Sequence, residues 1–223
     1  MILPAMIFAA GFGTRMGSLT QSIPKPMVRL SGRPMIDHSI DMLREAGIGQ
    51  IVANTHYLRE VIEPHLLAKG IDLSPEVPEI LDTGGGLKAA LSKLGGDVVL
   101  TINPDAAWSG TNPVKALLQA WRPEMTALLM LVPLSRATST RDSGDFSLEH
   151  GEIRRNGDYL YTGAQIIRTD RLREISADAF SLNIYWDLLA ETGPLHGALY
   201  DGAWCDIGTP DGLGAARRML ADV

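Results

Sequence analysis

The residues of this sequence best suited to chemistry lie near its start, where an apolar run breaks into a glycine-rich stretch. Gly11 and Gly13 are followed by Arg15, and Lys25 stands ten residues later between two prolines. Glycines here can adopt positive φ, so successive backbone N–H groups can point at one anion. Arg15 adds a planar fork of donors, and Lys25 adds a compact charge. The pattern predicts a loop that holds a nucleoside triphosphate, with Lys25 acting at the phosphate that is attacked.

Two better-known glycine motifs do not fit this stretch. A dinucleotide-binding loop needs G-x-G-x-x-G and an acidic residue after the second strand, whereas the next glycine here is Gly17 and the second strand pattern ends in Asn54-Thr55. A Walker A loop needs Gly-Lys-Ser/Thr after its glycines, and the sequence lacks that triplet there. The loop therefore belongs to another class of phosphate-binding site.

The strand before the loop must position it, and the segments that follow alternate between helical and strand patterns. Apolar residues recur at helical spacing from Met35 to Ala46, a strand pattern covers 50–55, and a helical pattern covers 57–69. Such alternation predicts parallel strands joined by right-handed crossovers. Further strands are expected at 97–103, 125–132 and 196–200, and further helices at 87–94, 112–121, 183–192 and 210–220.

The pattern changes in the last third of the chain. Three short strand patterns follow one another at 145–148, 151–154 and 159–167, and Asn156-Gly157 between the last two is a strong hairpin signal. We expect a small β-rich insert that covers the ligand crevice. The predicted fold class is α/β, with a Rossmann-like, mixed but mainly parallel sheet flanked by helices and this insert over the active site.

Two carboxylates and a second glycine run occupy positions that favour ligands. Asp105 follows the strand at 97–103, and the crevice of an open α/β sheet lies at the carboxyl ends of its strands. Asp206 stands near a glycine on the approach to the last helix. The glycines at 84–86 open the helix at 87–94, where N–H groups and the helix dipole favour anions or carbonyl oxygens. Each position is a candidate ligand contact.

Composition limits the classes of function. With 223 residues, 45% of them hydrophobic, the chain can form one large α/β domain, and we expect a single domain over residues 1–223. A net charge of −6 argues against a nucleic-acid surface. The single cysteine, Cys205, fits a reducing compartment, and no apolar run is long enough to span a membrane. We expect a cytoplasmic protein that binds neither nucleic acid nor membrane.

The stretch from Ala9 to Met27 resembles the signature of the sugar-1-phosphate nucleotidyltransferases. The matching segments are Ala9-Ala10-Gly11-x-Gly13-Thr14-Arg15-Met16, Leu19-Thr20, Pro24-Lys25-Pro26-Met27 and Gly32-x-Pro34-Met35-Ile36. Weaker similarities follow at 84–86, Asn103-x-Asp105, Tyr161-Thr162-Gly163 and Trp204-x-Asp206-x-Gly208-Thr209. In length and in its Thr-Gly-Gly-Gly run, the sequence is most similar to the short bacterial uridylyltransferases that act on N-acetylmuramic acid 1-phosphate in cell-wall recycling.

In that family a sugar phosphate oxygen attacks the α-phosphorus of a nucleoside triphosphate, and pyrophosphate leaves. Such a displacement needs alignment and charge neutralisation more than a nucleophilic side chain. The resemblance implies a GT-A-like fold, with Arg15 on the leaving phosphates and Lys25 at the α-phosphate. It also implies Mg²⁺ held by Asp105 and Asp206, since magnesium takes one or two carboxylates together with water and phosphate oxygens.

The resemblance also implies the remaining contacts and partners. The nucleotide contacts are Ala10, Gly11, Gly13, Thr14, Asn54, Gly84 and Gly85, and the sugar contacts are Asp145, Gly163 and Asn183. The implied partners are a nucleoside triphosphate, with UTP expected, and a sugar 1-phosphate, bound by a monomer or a small homo-oligomer.

Each of these residues also has an ordinary structural explanation. Arg15 and Lys25 are compatible with solvated turns, and Asp105 and Asp206 with caps of the elements that follow them. Asn54 is as readily a strand-end turn residue, and the three sugar candidates are as readily turn or cap residues. We interpret Cys205 as a small buried filler, and His56 and His196 as structural or surface residues, because neither histidine has a partner at metal-ligand spacing.

The sequence departs from the family pattern at two places. Pro104 stands where the family usually has glycine, and proline fixes φ and removes an N–H group. We expect this change to reshape the sugar pocket while leaving a metal role of Asp105 intact. Gly17-Ser18 stands where the family often has a proline, which loosens the loop.

Two other functions stay open from the sequence. One is a guanylyl- or cytidylyltransferase acting on another phosphate acceptor. The stretch from Trp204 to Thr209 favours instead the enzymes that act on sugar phosphates. The other is a nucleotide-sugar-binding regulator without turnover, against which the intact Arg15, Lys25, Asp105 and Asp206 speak.

Overall fold

A computed structural model describes residues 3–138 and 142–221 of the chain, in which helices and strands alternate. The helices are α1 (Met35–Glu45), α2 (Arg59–Ala68), α3 (Asp82–Leu94), α4 (Pro113–Ala120), α5 (Leu182–Ala190) and α6 (Pro210–Ala221). The strands are β1 (Ala5–Phe8), β2 (Arg29–Leu30), β3 (Arg33–Pro34), β4 (Ile51–Thr55), β5 (Asp72–Pro75), β6 (Val98–Ile102), β7 (Ala106–Ser109), β8 (Ala127–Pro133), β9 (Ala137–Thr138), β10 (Gly144–Glu149), β11 (Glu152–Gly157), β12 (Tyr159–Arg168), β13 (Leu195–Leu199) and β14 (Ala203–Asp206).

A nine-stranded mixed sheet forms the centre of the molecule, in the order β10-β11-β13-β8-β12-β6-β1-β4-β5. The strands β6, β1, β4 and β5 pair in parallel, as does β13 with β8. The other neighbours in the sheet are antiparallel. The α/β class and the mixed sheet are confirmed, although the antiparallel part is larger than the sequence pattern indicated.

Helices cover both faces of this sheet, which explains why its central strands are almost continuously apolar. Side chains of a strand alternate between faces. In β1, Ala5 and Ile7 pack in a core with α1, α2 and α4, whereas Met6 packs in a second core with α3 and α5. A third, smaller core lies beneath α6 and includes Met16 of the loop after β1. The sheet and its helices thus hold the ends of β1, β4 and β6 in fixed positions.

The predicted β-rich insert is not a separate unit. The three predicted strands are present, but Tyr159–Arg168 lies in the middle of the main sheet, between β6 and β8. Only β10 and β11 form an edge hairpin, which turns at His150-Gly151, both with positive φ. The error arose because a short apolar strand gives the same pattern whether it lies in a covering hairpin or in a sheet buried on both faces.

Among the short strands that were not predicted from the sequence, two matter for the site. The strands β7 and β14 pair antiparallel, with Asp206 opposite Ala106. This pairing places the end of β14 beside Asp105, whose carbonyl oxygen accepts a hydrogen bond from the Ile207 N–H group at 2.8 Å. Across residues 3–138 and 142–221, none of the helices has the length and apolar character needed to cross a bilayer.

Candidate active site

The glycine-rich loop after β1 folds back against the Pro-Lys-Pro segment. Gly13 has a φ of 63°, and a Cβ atom placed on it would lie 2.8 Å from Cβ of Lys25. The Thr20 hydroxyl donates to the Gly13 carbonyl oxygen at 3.1 Å and braces the same turn. Residues Lys25–Met27 form a single 3₁₀ turn. Glycine is therefore required at position 13 both for its backbone conformation and for the close approach of Lys25.

Lys25 and Asp105 form an ion pair across the loop and the end of β6. The ammonium Nζ lies 2.5 Å from Oδ2 of Asp105. Lys25 is 9% exposed, so its charge is largely removed from water and needs the partner. The sequence assigned these two residues to separate tasks, and the structure brings them into direct contact.

Arg15 and Asp206 both lie beside Gly208, at a second point of the same site. A Cβ atom on Gly208 would lie 2.9 Å from Nη1 of Arg15 and 2.9 Å from Oδ2 of Asp206. A side chain at position 208 would therefore displace one of the two charged groups. The β7–β14 pairing thus brings the two carboxylates, which are about a hundred residues apart in sequence, to the side of the site where the loop places Arg15 and Lys25.

A cavity of about 200 Å³ lies among these groups. Its wall includes the predicted residues Gly11, Gly13, Thr14, Arg15, Lys25 and Asp105, together with Pro26, Pro104 and Gly208. Backbone N–H groups of a glycine-rich loop and two cations suit the phosphates of a nucleotide. We call this cavity the phosphate end.

The carboxylates at the phosphate end do not make a complete metal site by themselves. Among residues 3–138 and 142–221, no group of three or more His, Cys, Asp or Glu side chains is arranged to hold a metal ion. Asp105, which precedes β7 and lines the phosphate end, and Asp206, which ends β14 beside Gly208, supply two carboxylates. This donor set fits a magnesium ion that takes its remaining ligands from water and phosphate oxygens.

A second cavity of about 190 Å³ adjoins the first and shares Phe8, Gly11 and Asp105 with it. Ala10 and Asn54 lie in its wall. We call it the middle cavity. It extends the phosphate end towards β4 and the start of α3.

The Asn54 side chain is already bound within the protein. Its Oδ1 accepts from the Ala9 N–H group at 2.7 Å, and its Nδ2 donates to Oε1 of Glu76 at 2.7 Å. Glu76 in turn accepts from the Leu81 N–H group through Oε2. Asn54 therefore holds the end of β1 in place, and the buried Glu76, which the sequence analysis did not select, lies beside it in the middle cavity.

The glycine run at 84–86, predicted to contact the base, packs against other segments of the protein. Helix α3 begins at Asp82, so the run lies inside its first turns. The N–H groups of Gly84 and Gly85 both donate to the Phe180 carbonyl oxygen, at 2.9 and 3.0 Å. The N–H groups of these two glycines are therefore occupied, and neither residue lines the middle cavity, where Asp82 and Thr83 do. A sequence pattern cannot reveal an acceptor that arrives from a segment almost a hundred residues away.

A Cβ atom on these glycines would meet protein atoms at once. On Gly84 it would lie 2.4 Å from the Phe180 ring, and on Gly86 it would lie 2.5 Å from Oε1 of Glu76. The absence of side chains lets α3 pack against both neighbours.

A third cavity, of about 600 Å³, continues from the middle cavity and shares Asp82, Thr83 and Asn103 with it. Asp145 and Asn183, two of the predicted sugar contacts, lie in its wall. We call it the sugar end. Oδ2 of Asp145 accepts a hydrogen bond from the Tyr161 N–H group at 2.9 Å, which ties β10 to β12.

Gly163 does not line the sugar end, and its contribution is indirect. It has a φ of 88°, and a Cβ atom on it would lie 2.9 Å from Cβ of Asn103. Its carbonyl oxygen also accepts from the Asn103 N–H group at 2.9 Å. Gly163 therefore makes room for Asn103, the residue that stands between the middle cavity and the sugar end.

Several residues of the sugar end were not selected from the sequence. They include Arg155 on β11 and Trp186 on α5. Neither lies in a recognisable motif, and the two come together only because the β10–β11 hairpin packs against α5.

Three residues were predicted to have no chemical role, and their surroundings are as follows. Cys205 is fully buried, as predicted, and burial raises the pKa of its thiol to about 11. His56 places Nδ1 2.9 Å from the Glu76 carbonyl oxygen. His196 lies on β13, opposite Leu128.

Comparison with known proteins identifies the family. The model of the MobA-like NTP transferase domain matches residues 5–143. The N-acetylmuramate alpha-1-phosphate uridylyltransferase of Caulobacter vibrioides is 36% identical, over 98% of this chain and 97% of the relative. The enzyme of the same name from Neisseria meningitidis serogroup B is 31% identical, over 97% of this chain and 98% of the relative.

A solved structure extends the comparison to the fold. The crystal structure of HddC from Yersinia pseudotuberculosis complexed with GMP-PN superposes with a TM-score of 0.78 at 22% identity, over 98% of this chain and 100% of that one. At that identity the likeness concerns the fold alone. The relatives and the family model together carry the assignment: the chain belongs to the MobA-like NTP transferase family and is a nucleotidyltransferase.

Proposed function

We propose that this protein transfers the uridylyl group of UTP to N-acetylmuramic acid α-1-phosphate, giving the nucleotide sugar and pyrophosphate. In this reaction a phosphate oxygen of the sugar phosphate forms a bond to the α-phosphorus, and the bond to the pyrophosphate oxygen breaks. The two full-length relatives carry this activity in their names.

The observation that carries the proposal is the continuity of the three cavities. The phosphate end shares lining residues with the middle cavity, and the middle cavity shares others with the sugar end. One cleft therefore offers places for phosphates, a base and a hexose. Arg15 and Lys25, the two cations predicted from the loop, both line the phosphate end, where the phosphoryl displacement would occur. Such a cleft suits two substrates that must meet in line.

The proposed division of roles at the phosphate end follows from charge. Arg15 binds the leaving phosphates, because its planar fork matches two phosphate oxygens. Lys25 moves from Asp105 to the α-phosphate when the nucleotide binds. Asp105 and Asp206 hold Mg²⁺, which when bound neutralises the charge that develops on the phosphate oxygens.

The other assignments concern the loop backbone and the sugar end. Ala10, Gly11, Gly13 and Thr14 contact the nucleotide through the loop backbone, while Asp145 and Asn183 contact the sugar. Asn54 and Gly163 act one step away, by holding Ala9 and Asn103. We also place the reaction in the cytoplasm, because the single cysteine fits a reducing compartment. Its place in cell-wall recycling follows from the resemblance to the short uridylyltransferases.

A guanylyltransferase is the second candidate. The fold neighbour HddC was crystallised with GMP-PN. In addition, the buried Glu76 lines the middle cavity. Its two oxygens accept from Asn54 and from the Leu81 N–H group, and each keeps a further acceptor site, which suits the two neighbouring N–H donors of guanine. Uracil offers one such donor between two carbonyl oxygens.

The test is a pyrophosphate-release screen with Mg²⁺, four nucleoside triphosphates and a panel of sugar 1-phosphates. We expect the highest kcat/KM for UTP with N-acetylmuramic acid 1-phosphate. Highest activity with GTP would replace the proposed base, and highest activity with a neutral sugar would replace the proposed acceptor. Absence of release for every pair would contradict the proposed reaction.

A further inference from the structure

Arg155 is the side chain of the sugar end with the most elaborate support. Its Nη1 donates to Oδ1 of Asn183 at 2.6 Å, and its Nη2 donates to the Asn183 carbonyl oxygen at 3.0 Å. Its Nε and Nη2 both donate to Oδ1 of Asp187, at 3.2 and 2.8 Å. Four of the five guanidinium hydrogens are thus engaged with helix α5, which leaves one Nη1 hydrogen without a partner among the described residues.

Two aromatic rings support the same guanidinium. Phe146 faces Arg155 directly across the β10–β11 hairpin, and Cζ of Arg155 lies 5.3 Å from the centre of its ring. The ring of Trp186 lies at the same distance of 5.3 Å. Trp186 is itself held by a hydrogen bond from Nε1 to Oε1 of Gln165 at 2.8 Å. The guanidinium therefore has one preferred position, which lowers the entropy lost when it binds an anion.

Charge distinguishes Arg155 from the other residues around it. Among the described residues that line the sugar end, the charged side chains are Asp82, Asp145 and Arg155. Arg155 is thus the one cation in that part of the wall. A sugar that carries a carboxylate would meet two acidic groups there and needs Arg155 as its counterion.

We propose that Arg155 determines specificity for an acidic sugar by donating to a carboxylate on the hexose. This inference rests on the proposed function and deepens it, because N-acetylmuramic acid differs from N-acetylglucosamine by an ether-linked lactyl group that bears one carboxylate. The Nη1 hydrogen that remains beside Asn183 is the donor, and the stacked, hydrogen-bonded guanidinium needs little rearrangement to use it.

The test compares two sugar phosphates with matched variants. Wild type, Arg155→Gln, Arg155→Lys and Arg154→Gln are assayed with N-acetylmuramic acid 1-phosphate and with N-acetylglucosamine 1-phosphate. Arg154 is the control, since it precedes Arg155 on β11 and points to the opposite face of the strand. Calorimetric affinities for both sugar phosphates are measured beside turnover, so the comparison does not depend on turnover of the neutral sugar.

We expect Arg155→Gln to lower kcat/KM and affinity for the acidic sugar about tenfold or more relative to the neutral sugar, mainly through KM. Arg155→Lys should recover part of that preference, because it keeps the charge but loses the planar fork. Arg154→Gln should leave the preference unchanged, and the KM for the nucleoside triphosphate should stay within about twofold throughout.

Equal losses for both sugars in Arg155→Gln would overturn the inference and leave Arg155 as a structural link between β11 and α5. A wild-type enzyme that neither binds nor converts the acidic sugar would instead contradict the proposed function. The two failures are therefore distinguishable.

Discussion

The phosphate end and the sugar end of the cleft are built in opposite ways. At the phosphate end, charged side chains lie on a tight loop and at strand ends, and they face one another directly, as in the Lys25–Asp105 pair. At the sugar end, the charged Arg155 is surrounded by aromatic rings and bound to a helix. In the first region, under the proposed function, the charged groups rearrange around phosphates and a metal ion. The second holds a single cation in place.

This difference suggests distinct roles for the two regions: residues of the phosphate end rearrange when a ligand binds, and Arg155 selects the ligand without rearranging. In the proposed reaction, Lys25 leaves Asp105 for the α-phosphate and Asp105 turns to the metal ion, so the ion pair between them rearranges. In the proposed sugar site, Arg155 keeps its contacts with α5 when the acceptor binds. We therefore expect substitutions at the phosphate end to change the rate of the chemical step, and substitutions at the sugar end to change the choice of acceptor.

The largest effect should come from Lys25→Ala, which removes the cation proposed to act at the α-phosphate. We expect kcat to fall by about 10²–10³, in line with the loss of one preorganised transition-state donor, while nucleotide affinity weakens only a few-fold. Steady-state kinetics and calorimetric nucleotide binding measure the two quantities. Lys115→Ala, an exposed lysine on α4, is the matched control. Wild-type rates in Lys25→Ala would remove Lys25 from the mechanism.

The next effect concerns the metal. Asp206→Asn removes one of the two carboxylates proposed to hold Mg²⁺, so the Mg²⁺ concentration that gives half-maximal rate should rise about tenfold or more. The measurement is a Mg²⁺ titration of the rate at saturating UTP. An unchanged Mg²⁺ dependence would assign Asp206 to a purely structural role beside Gly208.

A smaller effect is expected from two glycine substitutions, which separate the cost of side-chain crowding near the sugar end from the cost of backbone strain. Gly163→Ala and Gly151→Ala both place a side chain at positive φ, 88° and 86°. Only the Cβ at position 163 would meet a neighbour within 4 Å, the Asn103 side chain. Both variants should lose about 1 kcal/mol of unfolding free energy from the backbone, and Gly163→Ala about 1–3 kcal/mol more from crowding.

Denaturant unfolding measures the stability difference between these two variants, and sugar phosphate KM should rise in Gly163→Ala alone. If both variants behave alike, Asn103 adjusts freely and Gly163 has no special part in shaping the sugar end.

The smallest effect on catalysis should come from a substitution of Asp37. This residue lies between α1 and α2, away from the cleft. Burial alone would raise its pKa, but hydrogen bonds with His65 and Lys69 outweigh it, and the pKa is lowered from 3.8. A lowered pKa means that the folded state favours the carboxylate. Its contribution to stability is therefore fully present above pH 3.8 and is lost as pH falls through the lower folded value.

We accordingly expect Asp37→Asn to reduce the unfolding free energy at pH 7 by about 2 kcal/mol, with unchanged kcat. The gap from wild type should shrink as pH falls below 3.8. Chemical denaturation across that range provides the measurement, with the exposed Asp72→Asn as control. A gap independent of pH would mean that packing, not charge, makes Asp37 stabilising.

Features encoded in one continuous segment were predicted correctly from the sequence more often than features that depend on distant contacts. The loop from Gly11 to Arg15 and the Pro-Lys-Pro segment form one continuous signature, and the structure lines the phosphate end with them. The strand before Asp105 was recognisable because a strand buried on both faces is apolar throughout. A glycine run before helical residues, as at 84–86, fits a ligand-binding turn and a close packing contact equally well, and only the structure shows the packing contacts.

The amino-acid sequence by itself determined the α/β class, the phosphate loop and the family, because these depend on short segments with their own periodicity and spacing. Only the tertiary structure decided that β12 lies inside the sheet, that Lys25 meets Asp105, and that Arg155 faces the sugar end. Those outcomes depend on strand order and on contacts between segments far apart in the chain. Most residues of the phosphate end can thus be predicted from one stretch of sequence. The wall of the sugar end forms only when the β10–β11 hairpin and α5 pack together.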